Sequence, residues 1–116
     1  MEQYIVKSVV LLVLILMDIV TGLAAAFYLN QYNSSVMREG AYHKLCEVFV
    51  VIFSTLADVY LPVLGVDIGV EIAPLTVIYF AVMEICSIIE NVGKISPDAV
   101  KPISKYFEKL KGEHNV

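Results

Sequence analysis

Three long apolar stretches, separated by two unlike connectors and followed by a polar tail, make up the sequence. The stretches cover residues 8–29, 45–65 and 68–89. Each is close to the roughly twenty residues that an α-helix needs to cross the hydrocarbon core of a bilayer. The pattern therefore predicts an all-α integral membrane protein, with a three-span domain over residues 1–91 and a Lys-rich tail over residues 92–116.

Composition favours a membrane protein over a water-soluble one. Of the 116 residues, 59% are hydrophobic and only 17% are charged, and the mean hydropathy is +0.77. A soluble domain of this size has too little interior to bury so much apolar side chain. The first stretch is apolar on every face, whereas a helix on the surface of a soluble protein keeps one face polar. A soluble helical bundle with a very apolar core is the less favoured alternative.

The net charge and the cysteine count exclude two further classes of protein. The net charge of -4 argues against a non-specific nucleic-acid binder, because such proteins rely on a cationic surface. Two cysteines are too few for a disulfide-dense secreted scaffold. We therefore expect no nucleic acid among the partners.

The N-terminal region also has features of a secretory signal peptide. Lys7, the apolar block that follows it and the small residues 24–26 imitate such a segment with its cleavage site. However, Glu2 adds a negative charge before the block, and Asp18 interrupts the apolar region. These two acids favour a retained first span over a cleaved leader.

The distribution of Lys and Arg predicts the orientation in the membrane. The connector over residues 30–44 holds Arg38 and Lys44, and the connector between the second and third stretches holds no Lys or Arg. The tail holds five lysines, which are Lys94, Lys101, Lys105, Lys109 and Lys111. Because positive residues collect on the cytoplasmic side of short loops, we expect an N-out/C-in topology that leaves only Lys7 outside.

Each predicted span carries polar residues on one face. Such residues normally turn toward protein or water, because an ionisable group in hydrocarbon costs a few kcal/mol or more. At about 100° per residue, the shared faces hold Asp18, Thr21, Gly22 and Ala25 in the first span, Glu47, Ser54 and Asp58 in the second, and Glu84, Ser87 and Asn91 in the third. Gly22 and Ala26 also have the small-xxx-small spacing that lets two helices approach closely in lipid.

The acids at membrane depth allow two interpretations. Asp18, Asp58 and Glu84 either make static hydrogen bonds between helices as neutral carboxyls, or they serve in assembly and in lining water. Desolvation favours the neutral acid at the membrane midplane. Glu47 and Glu90 lie near the expected cytoplasmic boundary, and we expect both to be interfacial.

The sequence contains none of the common local signatures of an enzyme. HExxH, a Gly-rich phosphate loop and G-x-S-x-G are all absent. His43 and His114 are expected to be solvated. Cys46 and Cys86 do not form a CxxC pair, so we expect reduced cysteines that act as small packing residues. We therefore expect no catalytic residue, metal site or cofactor.

The tail predicts a short amphipathic helix from Pro102 to Lys111, with Gly112 as its stop. Its apolar side consists of Ile103, Tyr106, Phe107 and Leu110, and Lys105 and Lys109 point away from that side. This pattern is typical of a helix that lies on an anionic membrane leaflet. A loose cytoplasmic tail remains the alternative.

Three pieces of sequence together resemble one known family. They are the D-x-x-T-G element at residues 18–22 followed by Ala26, the basic segment with Ser35, Arg38, Gly40 and Lys44, and the E-x-x-S-I-x-E-N element at residues 84–91 leading to Pro97. In this order and at this separation they resemble the toxin-secretion/phage-lysis holin family over nearly the whole chain. The segment GKISP at residues 93–97 departs from the more apolar approach to the proline that the family pattern implies.

The resemblance implies a small protein that accumulates in the bacterial inner membrane, assembles with its own copies and abruptly permeabilises the bilayer. The hole would let a cell-wall hydrolase (an endolysin) or a toxin leave, without any reaction or cofactor. The residues expected to serve the pore and its assembly are Asp18, Thr21, Gly22, Ala26, Asp58, Glu84, Ser87, Glu90 and Asn91. The residues expected to bind the membrane surface are Lys101, Lys105, Lys109 and Lys111.

Two other classes of membrane protein stay open at this stage. One is a small proton-coupled transporter, or an accessory membrane subunit, that uses an intramembrane carboxylate. Against it, the sequence shows neither paired half-helices nor an inverted repeat. The other is a structural membrane protein that forms no pore.

Overall fold

The computed structural model describes residues 2–114, and those residues form four α-helices. The helices are α1 (Glu2–Tyr28), α2 (Ser34–Val63), α3 (Ile72–Ile95) and α4 (Pro97–His114). The first three are long and apolar enough to cross a membrane. The predicted all-α fold with three membrane helices is confirmed.

A tight turn over residues 29–33 joins α1 to α2. Asn30 adopts a left-handed conformation with φ 59°, and the N–H of Gln31 donates to the carbonyl of Ala26 at 2.8 Å, an arrangement that closes many helix C-termini. The side chain of Asn33 then accepts hydrogen bonds from two backbone N–H groups in the first turn of α2, as an N-cap residue does.

The second helix consequently begins at Ser34, well before the apolar stretch that starts at Leu45. The expectation that residues 30–44 form a connector is wrong for most of that segment. The difference arises from the N-cap of α2. Because Asn33 accepts hydrogen bonds from free N–H groups in the first turn, the helix begins in polar sequence and continues into the apolar stretch.

α2 ends in a similar way, and a short loop leads to α3. Gly65 takes φ 81°, which a residue with a side chain rarely adopts, and Val66 N–H donates to the carbonyl of Leu61 at 2.9 Å. Within the loop, the side chain of Asp67 accepts the N–H of Gly69 at 2.8 Å. The loop brings the start of α3 beside the last turns of α2.

α3 is the central helix of the fold. It packs most extensively against α1, and it also contacts α2 and α4. The buried apolar core consists of Leu11 and Ile15 from α1 and Val77 from α3. α1 and α2 meet mainly through side chains such as Tyr4, whose hydroxyl hydrogen-bonds the hydroxyl of Thr55.

Most of the apolar surface faces outward. In the most apolar window of each membrane helix, 22% of α1, 6% of α2 and 22% of α3 is buried within the chain. Large side chains such as Val20, Phe53 and Val63 are 64%, 72% and 77% exposed. A soluble bundle would bury these groups, so the exterior of the fold suits lipid.

α4 differs from the predicted tail helix at both ends. It starts at Pro97 and continues through Pro102, whereas the sequence predicted a start at Pro102 and a stop at Gly112. Pro97 occupies the first helical position, where proline needs no N–H partner, and Asp98 follows in the first turn. The favourable start at Pro97 outweighs the loss of one backbone hydrogen bond at Pro102, which has no N–H group.

The side chains of α4 are described only in part. Lys101, Ile103, Lys105, Tyr106 and Lys109 are exposed. The predicted positions of the side chains of Phe107, Leu110, Lys111 and His114 lie outside the described residues.

Candidate functional site between the membrane helices

The ammonium group of Lys44 lies between acids of the two other membrane helices. Its Nζ donates to both carboxylate oxygens of Glu84, each at 2.7 Å, and to the carboxylate of Asp18. Glu84 is 1% exposed and Asp18 is 8% exposed. Ionic hydrogen bonds in such a buried place are stronger than those between neutral groups. Lys44 therefore joins α1, α2 and α3 at one point.

The three charged residues lie at a common depth. Asp18 lies ten residues before the end of α1 at Tyr28, and Lys44 lies ten residues after the start of α2 at Ser34. Glu84 lies eleven residues before the end of α3 at Ile95. At about 1.5 Å per residue, each lies about 15 Å from its helix end. Exposed Arg38, Glu39 and His43 lie on α2 between Ser34 and Lys44. The charge cluster is thus closer to the α1–α2 turn than to the opposite ends of α1 and α2.

Asn91 extends the cluster along the contact between α1 and α3. Its Nδ2 donates to Asp18 Oδ1 at 2.8 Å and to Thr21 Oγ1 at 3.1 Å. Gly22 lies beside Asn91, because a Cβ atom there would be at ordinary contact distance, 3.5 Å, from Asn91 Nδ2. The polar face that the sequence predicted on α1 therefore packs against α3 of the same chain.

Glu47 belongs to the same site. It lies one turn beyond Lys44 on α2, where it faces the carboxyl of Glu84. Its Oε2 is buried and has no hydrogen-bond partner within residues 2–114. Glu47 is half-buried between α2 and α3, and its expected position at the membrane boundary stays a prediction. The site accordingly holds the three acids Asp18, Glu47 and Glu84 around one Lys44.

Asp58 does not belong to the charge cluster, and its carboxylate lies at the start of α3. Its two carboxylate oxygens accept the N–H groups of Ile72 and Ala73 at 2.8 and 2.7 Å. Glu71 occupies the N-cap position but makes no side-chain cap hydrogen bond. A carboxylate from α2 thus caps α3 and interacts favourably with the positive end of its dipole.

The polar stripe predicted on the second helix faces α3 along its length. Glu47 meets Glu84, the hydroxyls of Ser54 and Thr76 share a hydrogen bond of 3.3 Å, and Asp58 meets the first turn of α3. Later residues on α2 contact earlier residues on α3. This order is the one expected for two consecutive spans that run antiparallel. The stripe therefore joins helices within one chain.

The remaining predicted residues lie around this site. Ser87 and Ala26 are half-buried, and Glu90 is exposed. Cys46 is exposed and Cys86 is buried, and the two do not form a disulfide with each other. Cys86 thus packs as expected, whereas Cys46 faces outward. His43 is exposed and lies 3.9 Å from Glu39 on the outer side of α2.

The sequence did not predict that Lys44 and Glu47 lie in the charge cluster. Lys44 counted as a cation of a cytoplasmic loop, which is the usual position of an isolated lysine near an apolar stretch. The signal that could have placed it is the Asn33-Ser34-Ser35 segment, since Asn and Ser are favoured at helix N-caps. A helix that starts there puts Lys44 at the depth of the membrane acids.

The fold and this cluster define a multi-pass helical membrane protein with charged groups buried between its helices. Residues 4–112 match the sequence profile of the bacteriophage holin family. The chain belongs to that family, and the resemblance found in the sequence is confirmed.

One curated relative is similar over most of its length. A protein of Halalkalibacterium halodurans, itself of uncharacterised function, is 29% identical over 106 residues, which cover 91% of this chain and 78% of that protein. No solved structure matches the chain.

Proposed function

We propose that this holin-family protein oligomerises in the cytoplasmic membrane of a bacterium and opens a non-specific lesion. Through it a cell-wall hydrolase, as in phage lysis, or a toxin would leave the cell. The family assignment supports the holin role. The observation that carries the mechanism is a buried charge cluster inside helices whose outer surfaces are apolar.

The monomer suits a silent state in the membrane. Lys44 is bonded to Asp18 and Glu84 within the chain, and the exterior offers apolar side chains to lipid. Such a protein can accumulate in the bilayer without letting ions pass. The lipid bilayer is its first partner, and other copies of the chain are the second.

Opening must place these charged groups in a new polar environment. If α1 separates from α2 and α3, then Asp18 loses Lys44 and Asn91, and each charge facing lipid costs several kcal/mol. That cost disappears when several copies arrange these faces around shared water. Opening and oligomerisation are therefore coupled in this mechanism.

The position of the cluster also makes it sensitive to the membrane potential. A charge that moves through the field gains or loses about 2.3 kcal/mol per 100 mV. Because Asp18 and Glu84 lie within the membrane helices α1 and α3, separation of the cluster moves charge through part of that field. Loss of the potential is thus a physical trigger for opening.

We further propose that the chain is oriented N-out/C-in. The exposed lysines of α4, which include Lys101, Lys105 and Lys109, would then face the anionic inner leaflet. In this orientation the turn between α1 and α2 is cytoplasmic.

The test is induced expression in a bacterium that also makes a cytoplasmic muralytic enzyme. A holin gives abrupt lysis after a delay, because the enzyme reaches the wall only when the lesion opens. Slow growth inhibition without lysis would instead indicate the proton-coupled transporter. Absence of both lysis and ion leak would indicate a structural membrane protein.

The role of the cluster is tested in the same cells with Asp18→Asn and Glu84→Gln. Both variants remove a charge that holds Lys44, so we expect a changed lysis time. Asp67→Asn is the control, because Asp67 is an exposed acid in the loop before α3. Unchanged timing and unchanged leak in both cluster variants would remove these acids from the mechanism.

A further inference from the structure

An open crevice of about 430 Å³ lies between α1 and α2 and reaches the charge cluster. Asp18, Lys44 and Asn91 line its deep part, and Leu23 and Val36 line the part nearest the turn between the two helices. The crevice therefore extends from the region of that turn to the depth of the ion pair.

Two glycines keep the crevice wide. Gly22 lines it from α1 and Gly40 from α2, and a Cβ atom at Gly40 would have no neighbour within 4 Å. Glycine is an unfavourable residue in the middle of a helix, by about 1 kcal/mol relative to alanine. Here the missing side chain leaves space where α1 and α2 would otherwise come together.

The charged groups at the deep end favour water as the occupant. The side chain of Lys44 keeps 20% of its surface exposed and that of Asp18 keeps 10%, and both residues line the crevice. Contact of these charged groups with acyl chains would cost several kcal/mol. Water molecules can instead bond to Asp18, Lys44 and Asn91, which offer the two to four polar partners that an ordered water needs.

We propose that water fills this crevice from the membrane face that carries the α1–α2 turn, and that this water solvates the charge cluster. The three carboxyls of Asp18, Glu47 and Glu84 face a single ammonium, that of Lys44. Since an uncompensated charge is costly away from water, the acids that Lys44 does not neutralise need a further polar partner, and water in the crevice supplies one. The crevice connects the cluster to one side of the membrane only.

The proposal depends on insertion of the helices in a bilayer and not on the opening of a lesion. It can therefore fail while the lysis experiment succeeds, or succeed while that experiment fails. In either case the two results are distinguishable, because the crevice is measured in closed protein.

The experiment compares two neighbouring cysteine variants in a Cys46→Ser, Cys86→Ala background. Ile19→Cys replaces a residue that lines the crevice, whereas Val20→Cys replaces a 64% exposed residue at the same depth that is not among its lining residues. The full-length protein is placed in vesicles and treated with a membrane-impermeant thiol reagent. The reaction needs the thiolate, which forms in water and not in lipid.

We expect Ile19→Cys to react at least about tenfold faster than Val20→Cys, and only with reagent on the side of the α1–α2 turn. Equal and slow reaction at both positions would mean that lipid fills the crevice, and it would overturn the proposal. Equal and fast reaction would also overturn it, because water would then reach this depth without the crevice. So would reaction from the opposite side.

A second pair guards against a variant that fails to fold. Ala41→Cys lies in the crevice on α2, and Tyr42→Cys replaces a 68% exposed neighbour that does not line it. The same difference in rate is expected. Adding Gly40→Leu to Ile19→Cys should slow the reaction, since the new side chain occupies the crevice; an unchanged rate would contradict the assigned path.

Discussion

Both carboxylate oxygens of Glu84 lie 2.7 Å from the Nζ atom of Lys44, across the contact between α2 and α3. The ammonium group has three N–H donors, and the carboxylate of Asp18 on α1 accepts as well. α2 buries little of its apolar surface within the chain. The ionic contact is therefore a main attachment of α2 to the other two spans.

Replacement of Lys44 by methionine should destabilise the fold. The variant leaves Asp18 and Glu84 without their cation, and removal of one partner from a buried ion pair costs about 3–5 kcal/mol. We expect a loss near the lower value, about 3 kcal/mol, because the Lys44 side chain is 20% exposed. The measurement is unfolding in detergent micelles, followed by circular dichroism.

The control for this variant is Lys101→Met, which removes an exposed lysine from α4 and should leave stability nearly unchanged. A triple variant that combines Lys44→Met with Asp18→Asn and Glu84→Gln should regain much of the loss, because no buried charge is left unpaired in that trio. Equal stability of Lys44→Met and the original chain would contradict the assigned role of the ion cluster.

Replacement of Asp58 by alanine should loosen the start of α3. The N–H groups of Ile72 and Ala73 would lose their acceptor, and loss of a cap costs about 0.5–2 kcal/mol. Amide hydrogen exchange should become faster at these two residues before it changes elsewhere in α3. Asp67→Ala is the matched control, because Asp67 accepts one N–H within the exposed loop; the same loss of protection at Ile72 in this control would refute the cap.

The sequence predicts the helices well because length and apolar content decide whether a segment can cross a bilayer. It also identifies which residues belong to each polar face, since those follow from the helical repeat. The sequence does not predict which residues of two packed helices face each other. Asp18 and Asn91 are 73 positions apart, and their contact depends on how α1 and α3 cross, which the periodicity of either helix does not contain.

The start of α2 shows a second limit. An apolar window finds the part of a helix that lipid surrounds, but α2 begins with polar residues because Asn33 caps it. Lys44 then changes from a loop cation to the centre of the charge cluster. The same argument applies to Asp58: its stripe on α2 is predictable, but its use as the cap of α3 depends on the path of the loop between them.

Replacement of Gly22 by leucine should disturb the contact between α1 and α3. A Cβ atom at Gly22 already lies at contact distance, 3.5 Å, from Asn91 Nδ2, so the rest of a leucine side chain must displace Asn91. Overpacking of this kind costs about 1–3 kcal/mol. The free energy of unfolding in micelles measures it.

Gly40→Leu provides the comparison, because a Cβ atom there has open space around it. It should cost less than Gly22→Leu, and it should leave the contact between Asn91 and Asp18 intact. A larger loss in Gly40→Leu than in Gly22→Leu would show that α1 does not pack against α3 through Gly22.

Replacement of Gly93 by leucine should release α4 from the end of α3. A Cβ atom at Gly93 would lie 3.2 Å from Val100 Cγ2, which is tighter than an ordinary contact, so a leucine forces the two helices apart. Trypsin should then cleave after the exposed Lys105 about fivefold faster, the change expected for about 1 kcal/mol of lost packing. Combination with Val100→Ala makes room for part of the new side chain, and cleavage should slow again. If the single and double variants are cleaved at the same rate, Val100 is not the residue that holds α4 against Gly93.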